Sequence, residues 1–365
     1  MTALNVTGKY NNTIQHSRIF THNGTGTLRI QDLSMSKGYA VNAAGVAKGG
    51  CIYSKGSVLL LNAGVTGCTA KGTVADARGG GIYTIGQTTL VDSTISLNTA
   101  DSSNGPGALG GAVYALGNFR STRSNIINNI ATNTGNNGGY EGAVMVKGLS
   151  VGIYNSTIAG NHADGNVGGL GLINGSGSLA IVNSTISGNS AKKNIGGIYS
   201  QKLHAYFFNS TIAFNTAGGP AGFAAGVVLS GPVGATAKFE SILIANNSFG
   251  SPAVPSDING NVAVSGSNNL VLTPGISLPA DTIVGKCPLL GPLKDNGGAS
   301  MTHALLGHSP AIDKGNNKFG DSSDQRGSLY ARESGSPGGP AIADIGAYEV
   351  DRADKVFDVD FEGCS

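Results

Sequence analysis

The chain has 365 residues, 59 of them glycine and none tryptophan, with 12% charged side chains and a formal net charge of +2. So near-neutral a balance gives no electrostatic basis for binding nucleic acid or an anionic membrane surface, and no apolar run approaches the roughly 20 residues that span a bilayer. The 40% of hydrophobic residues, many of them β-branched and regularly placed, argue for a continuous core and against disorder.

In chain order, residues 1–27 read as a lead-in, 28–273 as a repeat and 274–365 as a non-repeating cap. Met1-Thr2-Ala3 opens no basic segment followed by an apolar one, so an export leader is expected to have been removed. The stretch Leu28-Arg29-Ile30-Gln31-Asp32-Leu33 is an early, imperfect unit. Full units then open with Gly-Gly-x-Ile-Tyr, as in Gly80-Gly81-Ile82-Tyr83 and Gly196-Gly197-Ile198-Tyr199. They close with Ser-Thr-Ile-x-x-Asn, as in Ser93-Thr94-Ile95-Ser96-Leu97-Asn98 and Ser210-Thr211-Ile212-Ala213-Phe214-Asn215. The closing asparagines fall at 98, 129, 161, 189, 215 and 246, a spacing that fits solenoid coils and no heptad. Short alternating segments between glycines and asparagines exclude helical repeats. The expected fold is all-β: a right-handed parallel β-helix, or β-solenoid, of roughly nine rungs with a C-terminal capping segment.

Stacking places equivalent residues of successive rungs about 4.8 Å apart. Ile82, Val113, Val144 and Ile198 would then form one inward column, and Ile95, Ile126, Ile158, Ile186 and Ile212 another. Asn tolerates left-handed backbone and bonds backbone groups locally, so Asn98, Asn129, Asn161, Asn189, Asn215 and Asn246 are expected to form a structural ladder at one corner. Cys68 takes the ladder position of an earlier rung and reads as a buried free thiol. Cys51 falls at a different repeat position, which argues against pairing with it, whereas Cys287 and Cys364 bracket the C-terminal segment and suit a disulfide in an exported protein.

Alternation turns Tyr53, Tyr83, Tyr114, Met145 and Tyr199 outward. Four tyrosines in one register would make an exposed aromatic stripe suited to sugar rings; the alternative is a stack that only stabilises the sheet. Insertions at 71–78, 101–109 and 132–140 would wall a groove beside it. Asp76, Arg78, Glu141 and Lys147 lie on or near that face and are the candidates for catalysis. Asp92, Arg123, Asn155, Asn183, Asn209 and Glu240 share another outward register, in which Asp92 and Arg123 would pair. The histidines show no metal spacing, no acidic cluster indicates Ca²⁺, and no GxSxG, HExxH or P-loop signature occurs. No metal or cofactor is expected.

After about Pro274 the repeat gives way to Leu290-Gly291-Pro292-Leu293, Asn296-Gly297-Gly298, Ser309-Pro310-Ala311-Ile312-Asp313-Lys314-Gly315, Asp324-Gln325-Arg326-Gly327 and Asp344-Ile345-Gly346-Ala347-Tyr348-Glu349. Here the chain resembles the choice-of-anchor Q domain proteins, exported bacterial β-helix proteins; the repeats alone are also similar to pectate-lyase-like chains. The resemblance implies a secreted or cell-surface protein, with the periplasm as the alternative, and carries no established reaction. Its end, Val356 to Ser365, shows no hydrophobic anchor. Arg326, Asp313, Asp344 and Glu349 are expected to be internal partners within the cap. Two functions follow: a monomeric protein binding polysaccharide or cell-surface glycan along the tyrosines, adhesive or substrate-holding, or a polysaccharide lyase or glycoside hydrolase in the same groove.

Overall fold

Each repeat of some thirty residues makes one turn of a parallel β-helix in the computed structural model, which describes residues 17–133, 142–219, 224–335 and 340–350. In one rung the strands Ile82–Thr84, Thr88–Val91, Thr94–Ser96 and Thr99–Ser102 follow one another around the coil. Stacked rungs give four long sheets, numbered first to fourth in that order, of nine, nine, ten and nine strands. A short fifth sheet joins Ala47–Lys48, Ala77–Arg78 and Ala108–Leu109. No helix among the described residues is long and apolar enough to cross a membrane.

The columns follow the expected register. Ile52, Ile82, Val113, Val144, Leu170, Ile198, Val227 and Ile258 stack in the first sheet. Val65, Ile95, Ile126, Ile158, Ile186, Ile212, Ile244 and Val271 do so in the third. All are buried in one continuous core. Such a core forms only by stacking, because a single rung has nothing above or below to cover its apolar faces.

Asparagines fill the corner between the third and fourth sheets. The side-chain amide of Asn98 donates to Oδ1 of Asn129 at 2.9 Å, and the chain continues through Asn161, Asn189 and Asn215. Each Oδ1 also accepts the backbone amide of the preceding ladder residue, and each Nδ2 also donates to a core carbonyl, as Asn161 does to Ile126. The sixth position is Asn247 and not Asn246: Asn215 donates to Asn247 Oδ1 at 2.8 Å. Asn246 occupies the left-handed bend before it, with φ +58, as Leu97, Asn128 and Phe214 do in other rungs. A serine series not anticipated from the sequence runs in parallel, the Oγ of Ser124, Ser156, Ser184 and Ser210 each accepting the backbone amide of the serine one rung earlier. Glu240 aligns with Phe208 in the second sheet, so the bend register holding Asp92, Arg123, Asn155, Asn183 and Asn209 continues at Ser241.

Asp257 ends the Asn ladder. Its Oδ1 accepts from the amide and the side chain of Asn247, and its Oδ2 from Thr273 N. Burial outweighs these bonds and pushes its pKa up to about 6. A carboxyl whose folded pKa is raised contributes stability below its unfolded value of about 4, and loses it as pH rises through the folded value. Between pH 4 and 6 the wild type is therefore expected to lose stability relative to Asp257→Asn, as read from denaturation midpoints at each pH.

Cys51 and Cys68 form a disulfide, with Cα atoms 5.5 Å apart, so neither is a free thiol. Their different repeat positions are what brings them together. In the next rung Gly81 aligns with Cys51 and Asn98 with Cys68, and a Cβ on Gly81 would lie 3.1 Å from Asn98 Cγ. The two positions face each other across the narrow interior, and the disulfide stands where later rungs use the ladder. Cys364, the proposed partner of Cys287, lies outside the described residues.

The first strand, Phe20–His22, already pairs with Ile52–Ser54, so the coil begins inside the expected lead-in. At the other end the segment expected as a cap does two things. Ile276 and Leu278 pack against the open core, and Ile283–Val284 adds a tenth strand to the third sheet. The chain after residue 286 then runs lengthwise along the outside of the third sheet. Asn125 donates to Ala299 O, Thr157 to Met301 O and Thr185 to Gln325, while Thr211 Oγ1 accepts Ala347 N. Leu290, Leu305, Ala311, Ile345 and Val350 form a second core with Ala213, Leu243, Ala245 and Leu270. The tail motifs after residue 286 therefore form a flank along the rod.

Candidate functional site

Tyr53, Tyr83, Tyr114, Met145 and Tyr199 do share one register on the outer side of the first sheet, with Gly171 between the last two. The rings of Tyr53, Tyr83 and Tyr114 stack 5.6 and 5.5 Å apart. They are not an open stripe. Tyr83 is 3% and Tyr114 0% exposed, and Tyr53 and Tyr199 are half-buried. The short fifth sheet lies over them: Lys48 stands 5.2 Å above the Tyr83 ring and Arg78 5.4 Å above Tyr114, while Leu109 packs beside them; Arg18, before the first strand, stands 5.3 Å above Tyr53. Tyr199 accepts a hydrogen bond from Gln201 and packs against Val167, Ile195 and Val228. Alternation fixed the direction of these side chains but not the layer laid over them.

The catalytic candidates fare similarly. Arg78 donates to Asp76 Oδ2 at 2.6 Å and is committed to that carboxylate and to the Tyr114 ring. Lys147 is exposed on the bend leading to the second sheet, where its carbonyl accepts from Asn174. Glu141 lies outside the described residues. Among the described residues no group of three or more His, Cys, Asp and Glu side chains is placed to hold a metal ion. Asp92 and Arg123 form the expected bidentate pair at 2.7 Å, on an exposed bend, where such pairs contribute roughly 0–1 kcal/mol.

An open aromatic face exists on the second sheet. In Ser150–Tyr154, Ser178–Val182, His204–Phe208 and Thr236–Glu240 alternate residues face out. One outward column runs Arg120, Gly152, Ala180, Tyr206, Lys238, and the next Thr122, Tyr154, Val182, Phe208, Glu240. Phe207, between two of these aromatics, points inward onto Phe239. The Tyr154 ring lies over Gly152, where a Cβ would clash with it. Arg120 stands 4.6 Å above the same ring. Two rungs on, about 10 Å along the rod, Tyr206 and Phe208 rise from the sheet, with only Ala180 and Val182 on the rung between.

The flank completes this face. Phe319 stacks on Phe208 with centroids 4.2 Å apart, and Lys238 lies 5.4 Å above the Phe319 ring. Tyr206 is 36% and Phe319 49% exposed. Glu240 is buried at the border, where it accepts from Ser267, Asn316 and Lys318. Burial alone would raise its pKa, but those bonds and the Lys318 charge hold it below the usual carboxylate value. The face therefore offers four aromatic rings with Arg120, Lys238 and Lys318 beside them, and an engaged carboxylate unsuited to proton transfer. The motif Ala205-Tyr206-Phe207-Phe208 carried the signal, since period 2 sends two of its three aromatics outward. Repeat periodicity does not reveal it, because these rings occur in two adjacent columns and do not recur from rung to rung. No family model, no curated protein and no solved structure matches the chain.

Proposed function

We propose that this protein is an exported β-helix that binds polysaccharide on the outer face of its second sheet, as an adhesive or substrate-holding surface. The observation that carries the proposal is the aromatic set Tyr154, Tyr206, Phe208 and Phe319 bordered by cations, in which Tyr206 and Phe319 are exposed and Tyr154 and Phe208 half-buried. Sugar rings have apolar faces that stack on aromatic rings and polar edges that bond to nearby charged groups. Placing rings two rungs apart, with low residues between, suits an extended chain that meets the face at alternate sugars. Export is supported by the Cys51–Cys68 disulfide, which forms and persists in oxidising compartments, and by the resemblance of the tail to surface proteins. Glycoside hydrolysis needs two carboxylates about the scissile bond; on this face Glu240 is buried and engaged, which favours binding without cleavage.

Affinity electrophoresis through pectin, alginate and neutral polysaccharides tests the proposal. The wild type is expected to be retarded by at least one of them. Tyr206→Ala and Phe319→Ala should each weaken retention by about tenfold, the effect of losing one stacked ring. Tyr83→Ala should bind as the wild type does. Free migration of the wild type in every gel, or full retention of both variants, would remove the proposal.

A further inference from the structure

A separate polar constellation stands on the outer face of the fourth sheet, where Ile130–Asn133, His162–Ala163 and Ser190–Ala191 pair in parallel. His162 and Ser190 are direct register partners, and Ser190 Oγ lies 2.8 Å from His162 Nδ1. Asp164, two residues after His162, places its Oδ1 3.4 Å from His162 Nε2. The carboxylate is held from both neighbouring rungs: Thr132 Oγ1 at 2.6 Å and Asn133 N at 3.0 Å on one side, and Lys192 Nζ at 2.5 Å on the other. The imidazole is 35% exposed, so the constellation opens to solvent.

We propose that Ser190, His162 and Asp164 form an acyl-transfer site for activated esters. A carboxylate only accepts hydrogen bonds, so Asp164 favours the imidazole tautomer carrying its proton on Nε2. Nδ1 is then the acceptor that Ser190 needs. These are the roles of a serine nucleophile, a base and an orienting acid, which are recognised by geometry and not by chain order. Burial would raise the Asp164 pKa, but Lys192, Thr132 and Asn133 hold it at about 2, so it is anionic wherever imidazole acts as a base.

In the reaction Ser190 Oγ bonds to the ester carbonyl carbon while its proton passes to His162 Nδ1. The bond from that carbon to the leaving oxygen breaks, and the leaving oxygen takes the proton from Nδ1. A water molecule repeats the sequence on the acyl-serine, releasing the acid and restoring Ser190. The backbone amides of His162, Ser190 and Lys192 are committed to the carbonyls of Asn129, Asn161 and Ala163. The Lys192 ammonium is engaged by the Asp164 carboxylate, so neither it nor these amides is free to hold a developing oxyanion. Without a preorganised oxyanion partner the site is restricted to acyl donors with good leaving groups, such as aryl esters.

A fluorophosphonate probe, which phosphonylates serines of this kind, tests the assignment on the full chain. Peptide mapping should find the label on Ser190, with none at that position in Ser190→Ala. His162→Ala should slow labelling by about a hundredfold or more, the usual contribution of a general base. The residues are on the surface, so circular dichroism should report unchanged folding. Asp164 acts as a positioning residue, and ¹⁵N shifts of the His162 ring read its effect: Asp164→Asn should move the proton population away from Nε2. Failure of Ser190 to react, or equal labelling in His162→Ala, would overturn the proposal. An unchanged tautomer in Asp164→Asn would overturn the role given to Asp164.

Discussion

Asn161→Ala is expected to lower the unfolding free energy by about 3–5 kcal/mol, because it strands buried donors on the rung before it. In the native rung Asn161 Oδ1 accepts both the backbone amide and the side-chain amide of Asn129, and its own Nδ2 serves the carbonyl of Ile126 and Oδ1 of Asn189. Alanine removes every one of these partners at a site that is fully buried, where water does not replace them without opening the corner. Neighbouring rungs share the damage, since each ladder residue is donor to one rung and acceptor for another. Guanidinium denaturation followed by circular dichroism measures the loss. The same experiment separates the two adjacent asparagines: Asn247→Ala should resemble Asn161→Ala, whereas Asn246→Gly should cost far less, because glycine readily adopts the positive φ found there.

Arg326→Ala should destabilise the flank by a similar amount, about 3–5 kcal/mol, the usual result of removing one partner of a buried ion pair. The guanidinium lies between the rings of Tyr330 and Tyr348 at 3.8 and 3.9 Å. It pairs with Asp324 at 2.8 Å and donates to Glu349 O at 2.6 Å. Without it the Asp324 carboxylate is buried beside two aromatic faces with its main counter-charge gone. Arg326→Lys should recover only part of the loss, since an ammonium has no planar fork to fill the slot between the rings. The coils make their own core, so the expected signature is a separate early transition, with proteolytic cleavage after residue 286 preceding unfolding of the rod. A single transition at the wild-type midpoint would refute this reading.

The rung period, the two aliphatic columns and the existence of a corner ladder were legible in the sequence, because stacking repeats the same constraint in every coil. Errors arose where two neighbouring residues satisfied the same pattern. Asn246 and Asn247 are chemically identical, and only the constant three-residue step from Ile212 to Asn215, and from Ile244 to Asn247, tells them apart. The Cys51–Cys68 pair is not visible in the repeat alignment, which relates residues along the rod, whereas these two meet across one rung. Burial of Tyr83 and Tyr114 depends on Lys48, Arg78 and Leu109, which share the position before the paired glycines but differ in chemical type, so no residue pattern marks them. The aromatic face of the second sheet needs a contribution from Phe319, more than a hundred residues after Phe208 in the chain, so no local pattern contains it. For the same reason the flank's course along the third sheet was not readable from its motifs.

Hydroxyl-radical footprinting with residue-level mass spectrometry, without and with the polysaccharide that retards the protein, tests the central assignment of a covered and an open aromatic face. Tyr206 and Phe319 should be oxidised rapidly in the free protein and become protected when the polysaccharide is present, while Tyr83 and Tyr114 stay unreactive in both. Rapid oxidation of Tyr83 and Tyr114, or unchanged oxidation of Tyr206 and Phe319 on addition of polysaccharide, would contradict it.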